Sequence, residues 1–291
     1  MILVIFGPTG SGKTDVAVKL AHHFDAPIIN ADAFQIYKEM NIGTNKIKES
    51  DPDYKRHYLL DIKTPEESYS VKEYQDDFRK VLAELEKKYE TIIVSGGTGL
   101  YIRAALFDYK FLDEETSFND YSNYSNEELF AKLQELDLVA SKKIHVNNRK
   151  RLIRALDLIS SSGVKKSDLI ASQEHKIIYP DVKFLFLNPE RESLYESINK
   201  RVDKMIKEGL VDEVKYLKEK YHLSTTASQA IGYKEILDYL DGNTSLEEAI
   251  ELIKKRTRNY AKRQVTFFKN QFNSQVFSSK SALFKEFNLD E

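Results

Sequence analysis

The chain has 291 residues, of which 31% are charged, yet its net charge is only −2. This length allows one large domain or two smaller ones, and the balanced charge argues against nucleic-acid binding over the whole surface. The absence of cysteine excludes disulfide bonds, a cysteine nucleophile and a zinc finger. The sequence has no apolar run of membrane-spanning length, so we expect a cytoplasmic protein with no membrane partner.

The first predicted element is a buried strand, Ile2 to Phe6, which leads through a glycine-rich turn into a helix. The turn has the phosphate-loop sequence Gly7-Pro8-Thr9-Gly10-Ser11-Gly12-Lys13-Thr14. Glycines let the backbone N–H groups turn inward, and the helix N-terminus adds partial positive charge. We therefore expect this loop to bind a di- or triphosphate, with Lys13 on the terminal phosphates and the Thr14 hydroxyl on Mg2+.

Two more predicted strands end in residues that could face the same ligand, because open α/β sheets bind ligands at the carboxyl ends of their strands. Asp32 follows a strand at 27–30, where it either faces the crevice or caps a helix. Thr98 lies in a glycine-rich turn after a strand at 91–94; a simple tight turn is the alternative. No Walker-B aspartate ends that third strand, which argues against motor ATPases and switch GTPases.

The remaining pattern predicts a fourth strand and a series of helices. The strand covers 182–187, and the helices cover 15–24, 70–88, 126–138, 145–159, 189–207, 210–221, 231–240 and 245–268. The fold class is therefore α/β, a P-loop NTPase-like core with a parallel sheet plus a small, mostly helical insertion domain. We predict the first part of the core at 1–108, the insertion at 109–145 with a loosely structured first half, the rest of the core with RNA-binding helices at 146–269, and a tail without assigned structure at 270–291.

Two of the predicted helices carry clusters of basic residues. The helix at 145–159 has Leu152, Ile153, Leu156 and Ile159 facing inward and Arg149, Lys150, Arg151 and Arg154 in its first turns. The helix at 245–268 and its end carry Lys254, Lys255, Arg256, Arg258, Lys262, Arg263 and Lys269, with Tyr260, Phe267 and Phe268 interleaved as stacking surfaces. Such patterns favour contact with a nucleic acid. The alternative is that these charges are solvated or pair with acidic residues elsewhere.

In this order, the motifs resemble those of the tRNA dimethylallyltransferases (tRNA isopentenyltransferases) of bacterial type. The resemblance runs from residue 2 to about 269 and includes, besides the phosphate loop, residues 29–37, 40–44, 96–102, 151–156, 201–205, 230–235 and 257–264. It implies an enzyme that transfers a dimethylallyl group from dimethylallyl pyrophosphate to N6 of the adenosine 3′ of the anticodon (position 37) in tRNAs reading U-starting codons. The product would be N6-isopentenyladenosine.

The resemblance also implies roles for individual residues. Asp32 would be the general base, Thr98 would contact the oxygen that bridges carbon and pyrophosphate, and Lys13 and Arg201 would stabilise the leaving group with Mg2+ on Thr14. Contacts to the tRNA anticodon stem-loop would come from Asp32, Ala33, Phe34 and Gln35, from Lys150, Arg151, Leu152, Ile153 and Arg154, and from Arg258, Lys262 and Arg263. Ala33 and Phe267 depart from the serine and tryptophan that are usual in the family. We expect a monomer whose phosphate loop holds pyrophosphate, with ATP neither substrate nor cofactor.

Three alternatives come from other classes. An adenylate isopentenyltransferase that makes cytokinins would share the loop and the base, but it would not need the two basic helices. A P-loop small-molecule kinase would bind ATP and place a basic lid over the phosphates, whereas the basic residues here lie far along the chain. A non-catalytic tRNA-binding protein would have no use for Lys13, Thr14 and Asp32 together.

Overall fold

The computed structural model describes residues 1–111 and 119–290, which form two compact units. The sheet unit comprises Met1–Ala105 and Tyr179–Glu291, and the helical unit comprises Leu106–Ile178. The helical unit is longer than the insertion predicted at 109–145, because the helix that follows residue 145 packs within it.

The sheet unit is built on a parallel sheet, which confirms the predicted α/β fold. Its strands are β1 (Ile2–Phe6), β2 (Ile28–Asn30), β3 (His57–Tyr58), β4 (Ile92–Gly96), β5 (Val182–Leu187) and β6 (Gln275–Phe277), in the order β3-β2-β4-β1-β5-β6. At the carboxyl end of β1, Phe6 lies opposite Gly96 on one side and Phe186 on the other. Asn30 is likewise opposite Ser95, so the turns after β1, β2 and β4 emerge at the same edge.

The helices, in chain order, are α1 (Lys13–His23), α2 (Val71–Leu85), α3 (Gly99–Leu106), α4 (Asn126–Leu136), α5 (Leu138–Ser141), α6 (Arg149–Ser162), α7 (Lys166–Ala171), α8 (Arg191–Lys207), α9 (Leu210–Lys220), α10 (Thr225–Ser228), α11 (Tyr233–Leu240), α12 (Leu246–Gln271) and α13 (Lys280–Glu286). A capping box starts α12, where Ser245 and Glu248 satisfy each other's backbone N–H groups. Within the described part of the chain, no helix is both long and apolar enough to cross a membrane.

A layer of phenylalanine rings fixes the end of α12 against the centre of the sheet. The Phe6 ring stacks on Phe186 with centroids 5.3 Å apart, and the Phe268 ring lies 4.8 Å from Phe6. Phe268 is fully buried, so the prediction that it offers a stacking surface to RNA is wrong. Phe267 packs against Gly99 at the start of α3. The long basic helix is thereby anchored where the phosphate loop begins.

The segment left unassigned at 270–291 forms β6 and α13, which extend the core. Strand β6 pairs with β5, and α13 packs its buried Leu283 and Phe284 into the cluster formed with α1. Lys280 also forms an ion pair with Asp15. Both elements are too short to give a clear periodicity, and they depend on the rest of the sheet for their partners.

The helical unit has a core of its own. Leu129 and Leu133 of α4 pack against Leu152, Ala155 and Leu156 of α6. Helix α6 begins at Arg149 rather than 145, because the Asn148 side chain caps it by accepting from the Arg151 N–H. The prediction of a loosely structured first half of the insertion falls partly on residues 112–118, outside the described residues.

Candidate active site

The phosphate loop joins β1 to α1 and concentrates positive potential at one point. Gly12 caps α1 with a φ of +84°, a left-handed conformation that L side chains rarely adopt. The Lys13 ammonium lies over the loop and donates to the Pro8 carbonyl at 3.2 Å. The Ser11 hydroxyl oxygen is buried and has no hydrogen-bond partner among the described residues. An unsatisfied hydroxyl, an ammonium and a helix N-terminus together fit a polyanion.

Arg201 on α8 adds a second cation beside the loop. Its guanidinium donates to the Thr9 hydroxyl at 3.1 Å and to the Thr44 carbonyl at 3.4 Å. Burial lowers the pKa of Lys13 to about 8; the Asp32 carboxylate opposes this shift, and Arg201 adds to it. Burial also lowers the pKa of Arg201. Two desolvated cations therefore face one carboxylate, an arrangement that favours the binding of a more highly charged anion.

Asp32 closes a turn directly after β2 instead of capping a helix. Its carboxylate accepts from the Phe34 N–H at 3.0 Å, and its own N–H donates to the Asn30 side chain at 3.1 Å. The buried Asn30 amide in turn donates to the Asp32 carbonyl and to the Leu59 carbonyl. The backbone on both sides of Asp32 is therefore held, and the carboxylate lines the cavities beside the phosphate loop.

Thr98 is joined to the Asp32 segment, so its turn is more than a simple chain reversal. The Ala33 N–H donates to the Thr98 hydroxyl oxygen at 3.0 Å, and the Thr98 N–H donates to the Ala31 carbonyl at 3.0 Å. The structure thus brings together Thr98, Asp32 and Lys13, which are far apart in sequence, as predicted from the common edge of the strands.

Two residues of α12 belong to the site: Gln264 was not predicted as a site residue, and Tyr260 was predicted only as a stacking surface. The Gln264 side chain accepts from the Thr9 N–H at 2.9 Å and donates to the Gly97 carbonyl at 2.8 Å, so it links the phosphate loop to the second glycine-rich turn. Burial raises the pKa of Tyr260, whose hydroxyl also interacts with the side chains of Thr98 and Gln264. The sequence offered one signal for Gln264, namely a polar residue on the buried face of a basic helix.

Two neighbouring cavities meet beside the phosphate loop. The first contains the phosphate loop and is lined by Thr9, Lys13, Thr14, Ile28, Asn30, Asp32, Gln35, Thr44, Asn45, Ile47, His57, Ser95, Gly96 and Arg201. The second has a volume of about 280 Å³ and shares Thr9, Asp32, Thr44 and Arg201 with the first. Its walls include apolar residues of α8 and α12, among them Ile198, Val202, Met205 and Ile253, and residues 229–233 also line it.

The second cavity runs along the groove between α8 and α12. These helices are antiparallel, since Arg258 donates to Asn199 at 2.6 Å and Lys254 pairs with Asp203 at 2.8 Å. Arg201 lies beside the phosphate loop, and Met205 lies one helical turn, about 6 Å, farther along α8. Met205 and Ile253 therefore line the end of the groove that is remote from the phosphate loop.

The oxygen donors in the first cavity fit Mg2+ that arrives with a phosphate ligand. Thr14, Asn30, Asp32 and Ser95 all line this cavity. The described residues contain no group of three or more His, Cys, Asp and Glu that could hold a metal. Mg2+ commonly takes only one or two protein ligands and completes its shell with water and phosphate oxygens. The donor set therefore matches a phosphate-bound ion rather than a closed protein cage.

The residues predicted to contact RNA divide by exposure. In the helical unit, Lys150, Arg151 and Arg154 are exposed on α6, and Ile153 is half-buried. Leu152 is fully buried in the core of that unit, so the prediction that its side chain contacts RNA is wrong. The inward stripe of α6 requires an apolar residue at this position.

Some basic residues of α12 are exposed to solvent, and others form pairs within the fold. Lys262 and Arg263 are exposed, and the Arg263 guanidinium lies 5.7 Å from the centre of the Tyr260 ring. Arg258 is half-buried and bound to Asn199, while Arg256 pairs with the buried Glu235. Arg256 and Arg258 therefore use their charges within the fold, whereas Lys262 and Arg263 present theirs to solvent.

The segment after Asp32 faces both cavities. Phe34 lines the second cavity, and Gln35 lines the first. The Gln35 amide donates to the Thr44 carbonyl at 3.1 Å. Ala33 contributes its backbone N–H to Thr98.

Comparison with known proteins gives one family and many relatives. The family model described as IPP transferase matches residues 35–271. The tRNA dimethylallyltransferase of Bacillus mycoides is 42% identical over 277 residues, covering 93% of this chain and 87% of that protein. The tRNA dimethylallyltransferase of Anoxybacillus flavithermus is 42% identical over 281 residues, covering 95% of this chain and 89% of that protein.

Solved structures of proteins with the same kinds of name are also similar to this chain. The tRNA isopentenylpyrophosphate transferase of Bacillus halodurans is 38% identical with a TM-score of 0.70, covering 95% of this chain and 89% of that one. A eukaryotic dimethylallyltransferase, described as acting on tRNA, is 27% identical with a TM-score of 0.81, covering 98% of this chain and 75% of that one.

Proposed function

The chain belongs to the IPP transferase family, and from this premise we propose that it transfers a dimethylallyl group from dimethylallyl pyrophosphate to tRNA. The acceptor is N6 of the adenosine 3′ of the anticodon (position 37) in tRNAs reading U-starting codons, and the products are N6-isopentenyladenosine and pyrophosphate. The observation that carries the proposal is the meeting of a phosphate-loop cavity and an apolar cavity at one carboxylate, Asp32. The names of the relatives support tRNA as the acceptor.

The phosphate-loop cavity suits the pyrophosphate leaving group. As the bond between C1 and the bridging oxygen breaks, its electron pair moves onto pyrophosphate and the negative charge there grows. Lys13 and Arg201 line this cavity together with Thr9 and Thr14 of the loop, so they can stabilise that charge. The family resemblance assigns the Thr98 hydroxyl, which accepts from the Ala33 N–H, as the donor for the bridging oxygen. Mg2+ held by Thr14 would neutralise further charge on the phosphates.

Asp32 suits the role of general base toward the exocyclic amine. The new bond from N6 to C1 forms as the bond from C1 to oxygen breaks, and the N6 proton passes to the Asp32 carboxylate. Because the Phe34 N–H and the Asn30 side chain hold this residue in place, its carboxylate keeps a fixed position between the two cavities. An exocyclic amine on an aromatic ring is a weak nucleophile, so such proton removal is part of the chemistry.

The apolar cavity suits the five-carbon chain and the adenine. A cavity of about 150 Å³ accommodates benzene, so about 280 Å³ leaves room for more than a five-carbon chain. Enzymes that modify a base take it out of the stack, and Phe34 and Tyr260 offer aromatic rings to a base that enters here. The isoprenoid would extend from Arg201 toward Met205, along the apolar groove between α8 and α12.

The exposed basic residues suit the phosphate backbone of the anticodon stem-loop. Lys150, Arg151 and Arg154 of the helical unit are exposed, and so are Lys262 and Arg263 of α12. Contacts of this kind bring affinity and position, whereas the flipped base brings specificity. We also propose that the enzyme acts as a monomer, since one chain supplies the residues that line both cavities.

A direct competition between acceptors tests this function. The protein, Mg2+ and dimethylallyl pyrophosphate are incubated with an anticodon stem-loop that carries adenosine 3′ of the anticodon, or with AMP, and products are identified by mass spectrometry. We expect prenylated adenosine in the RNA and none on AMP. Product on AMP would indicate a cytokinin-type enzyme. ATP consumption without prenyl transfer would indicate a kinase.

A further inference from the structure

A carboxylate on α9, outside both cavities, holds a loop that lines them. Glu213 accepts hydrogen bonds from the N–H groups of Ile42 at 2.8 Å, Asn41 at 3.1 Å and Gly43 at 3.3 Å. It also accepts from the Tyr233 hydroxyl at 2.6 Å. Four donors thus converge on one carboxylate, and hydrogen bonds to a charged acceptor are the strong ones. We call residues 41–44 the Asn41 loop.

The Asn41 loop is clamped from its other side by the Tyr233 ring. A Cβ on Gly43 would lie 2.4 Å from a carbon of that ring, so only glycine allows the loop to approach so closely. Tyr233 itself is 1% exposed, although it also lines the second cavity. Glu213 and Tyr233 therefore hold the loop together from two sides.

The end of the Asn41 loop carries an acceptor for Arg201. The Thr44 carbonyl accepts from one guanidinium nitrogen of Arg201 at 3.4 Å, and the other nitrogen donates to the Thr9 hydroxyl in the phosphate loop at 3.1 Å. The orientation of the guanidinium depends on both acceptors. A displacement of the Asn41 loop would move one of them.

We propose that Glu213 is a positioning residue for the pyrophosphate site, acting through the Asn41 loop and Thr44 to orient the Arg201 guanidinium. The inference rests on the proposed function, because it takes pyrophosphate as the ligand of Arg201. Replacing Glu213 by glutamine exchanges an acceptor oxygen for an NH2 group that faces backbone N–H donors. We expect the loop to shift, which moves the Thr44 carbonyl away from Arg201.

The test is calorimetric titration with inorganic pyrophosphate and Mg2+. The proteins are the wild type, Glu213→Gln, Arg201→Ala, the double variant, and Asp212→Asn as a charge-matched control on the exposed face of the same helical turn. We expect Glu213→Gln to weaken pyrophosphate binding by roughly ten- to a hundredfold. In the Arg201→Ala background the same substitution should weaken pyrophosphate binding by less than about twofold, because Glu213 acts through Arg201. Asp212→Asn should bind like the wild type.

Two results would overturn the inference while leaving the proposed function intact. One is wild-type affinity in a folded Glu213→Gln variant, and the other is an equally large loss in the Arg201→Ala background, which would reflect general destabilisation. If Glu213→Gln does not fold, Tyr233→Phe keeps the ring but removes the hydroxyl, which donates to Glu213 and accepts from the backbone of Gly43 and Thr44. It should weaken binding about threefold or more, and wild-type affinity would overturn the inference. Failure of the wild type to bind pyrophosphate would refute the proposed function as well.

Discussion

Lys13 should make pyrophosphate binding weaker as the pH rises, and Lys13→Arg should abolish this dependence. Burial lowers its pKa to about 8 in the free protein, so the side chain is charged below that pH and neutral above it. About nine-tenths of the molecules carry the charge at pH 7 and about one-tenth at pH 9. If only the charged form binds the anion, affinity falls about tenfold between these values, or about 1.4 kcal/mol.

The assay is calorimetric titration of pyrophosphate and Mg2+ from pH 6.5 to 9.5 into the wild type and Lys13→Arg. The arginine stays charged throughout, so its profile records the titration of the ligand alone. At pH 9 the wild type should also take up about one proton on binding, which buffers of different ionisation enthalpy will reveal. Parallel profiles for the two proteins, without excess proton uptake, would refute the reasoning.

The same pKa shift has the opposite consequence for the stability of the free protein. Lys13 loses its proton near pH 8 in the folded state but near 10.4 in the unfolded chain. Between these values the unfolded state binds more protons, so the contribution of Lys13 to stability rises with pH. Above pH 8, binding should therefore weaken while the contribution of Lys13 to stability rises.

Three substitutions test other parts of the site and fold. Thr98→Val should lower the single-turnover rate by roughly a hundred- to a thousandfold, because it removes the donor proposed for the bridging oxygen; a loss below about threefold would contradict that role. Met205→Ala should raise kcat/KM for geranyl relative to dimethylallyl pyrophosphate by about tenfold or more by opening the end of the apolar groove, and an unchanged ratio would show that the chain does not extend there. Phe268→Ala should reduce the free energy of unfolding by about 3–5 kcal/mol in chemical denaturation, since the ring is fully buried against Phe6; a loss below about 1 kcal/mol would contradict its anchoring role.

The parts of the site that could be predicted from the sequence are those determined locally. The glycine and lysine spacing of the phosphate loop, and the positions of Asp32 and Thr98 at strand ends, follow from short patterns and from the geometry of parallel sheets. Their common location then needs no knowledge of distant contacts. The structure bears this out by joining the Ala33 N–H to Thr98.

The residues that sequence reasoning missed depend on long-range packing. Gln264 reaches the phosphate loop only because Phe268, one turn later, is buried against Phe6. Glu213 meets the Asn41 loop across 170 or more positions in the chain. Nothing in the local sequence of α9 or α12 records such partners.

The errors at Leu152 and Phe268 have a common origin. Leu152 was included because its whole segment resembles an RNA-contact motif, and Phe268 because its helix is rich in basic and aromatic residues. Only part of a helix surface faces solvent, however. The periodicity of α6 already turned Leu152 inward, and the structure buries it completely. Helical phase was therefore the better guide to which side chains in a basic segment can reach RNA.

The most direct test of the account is the single-turnover rate of Asp32→Asn with dimethylallyl pyrophosphate and an anticodon stem-loop, measured beside its affinity for pyrophosphate. Asparagine keeps the shape and can still accept from the Phe34 N–H, but it cannot take the N6 proton. We predict a rate lower by about a hundred- to ten-thousandfold, with pyrophosphate binding no weaker than in the wild type. Transfer at the wild-type rate would contradict the assignment of Asp32 as the base on which the two cavities converge.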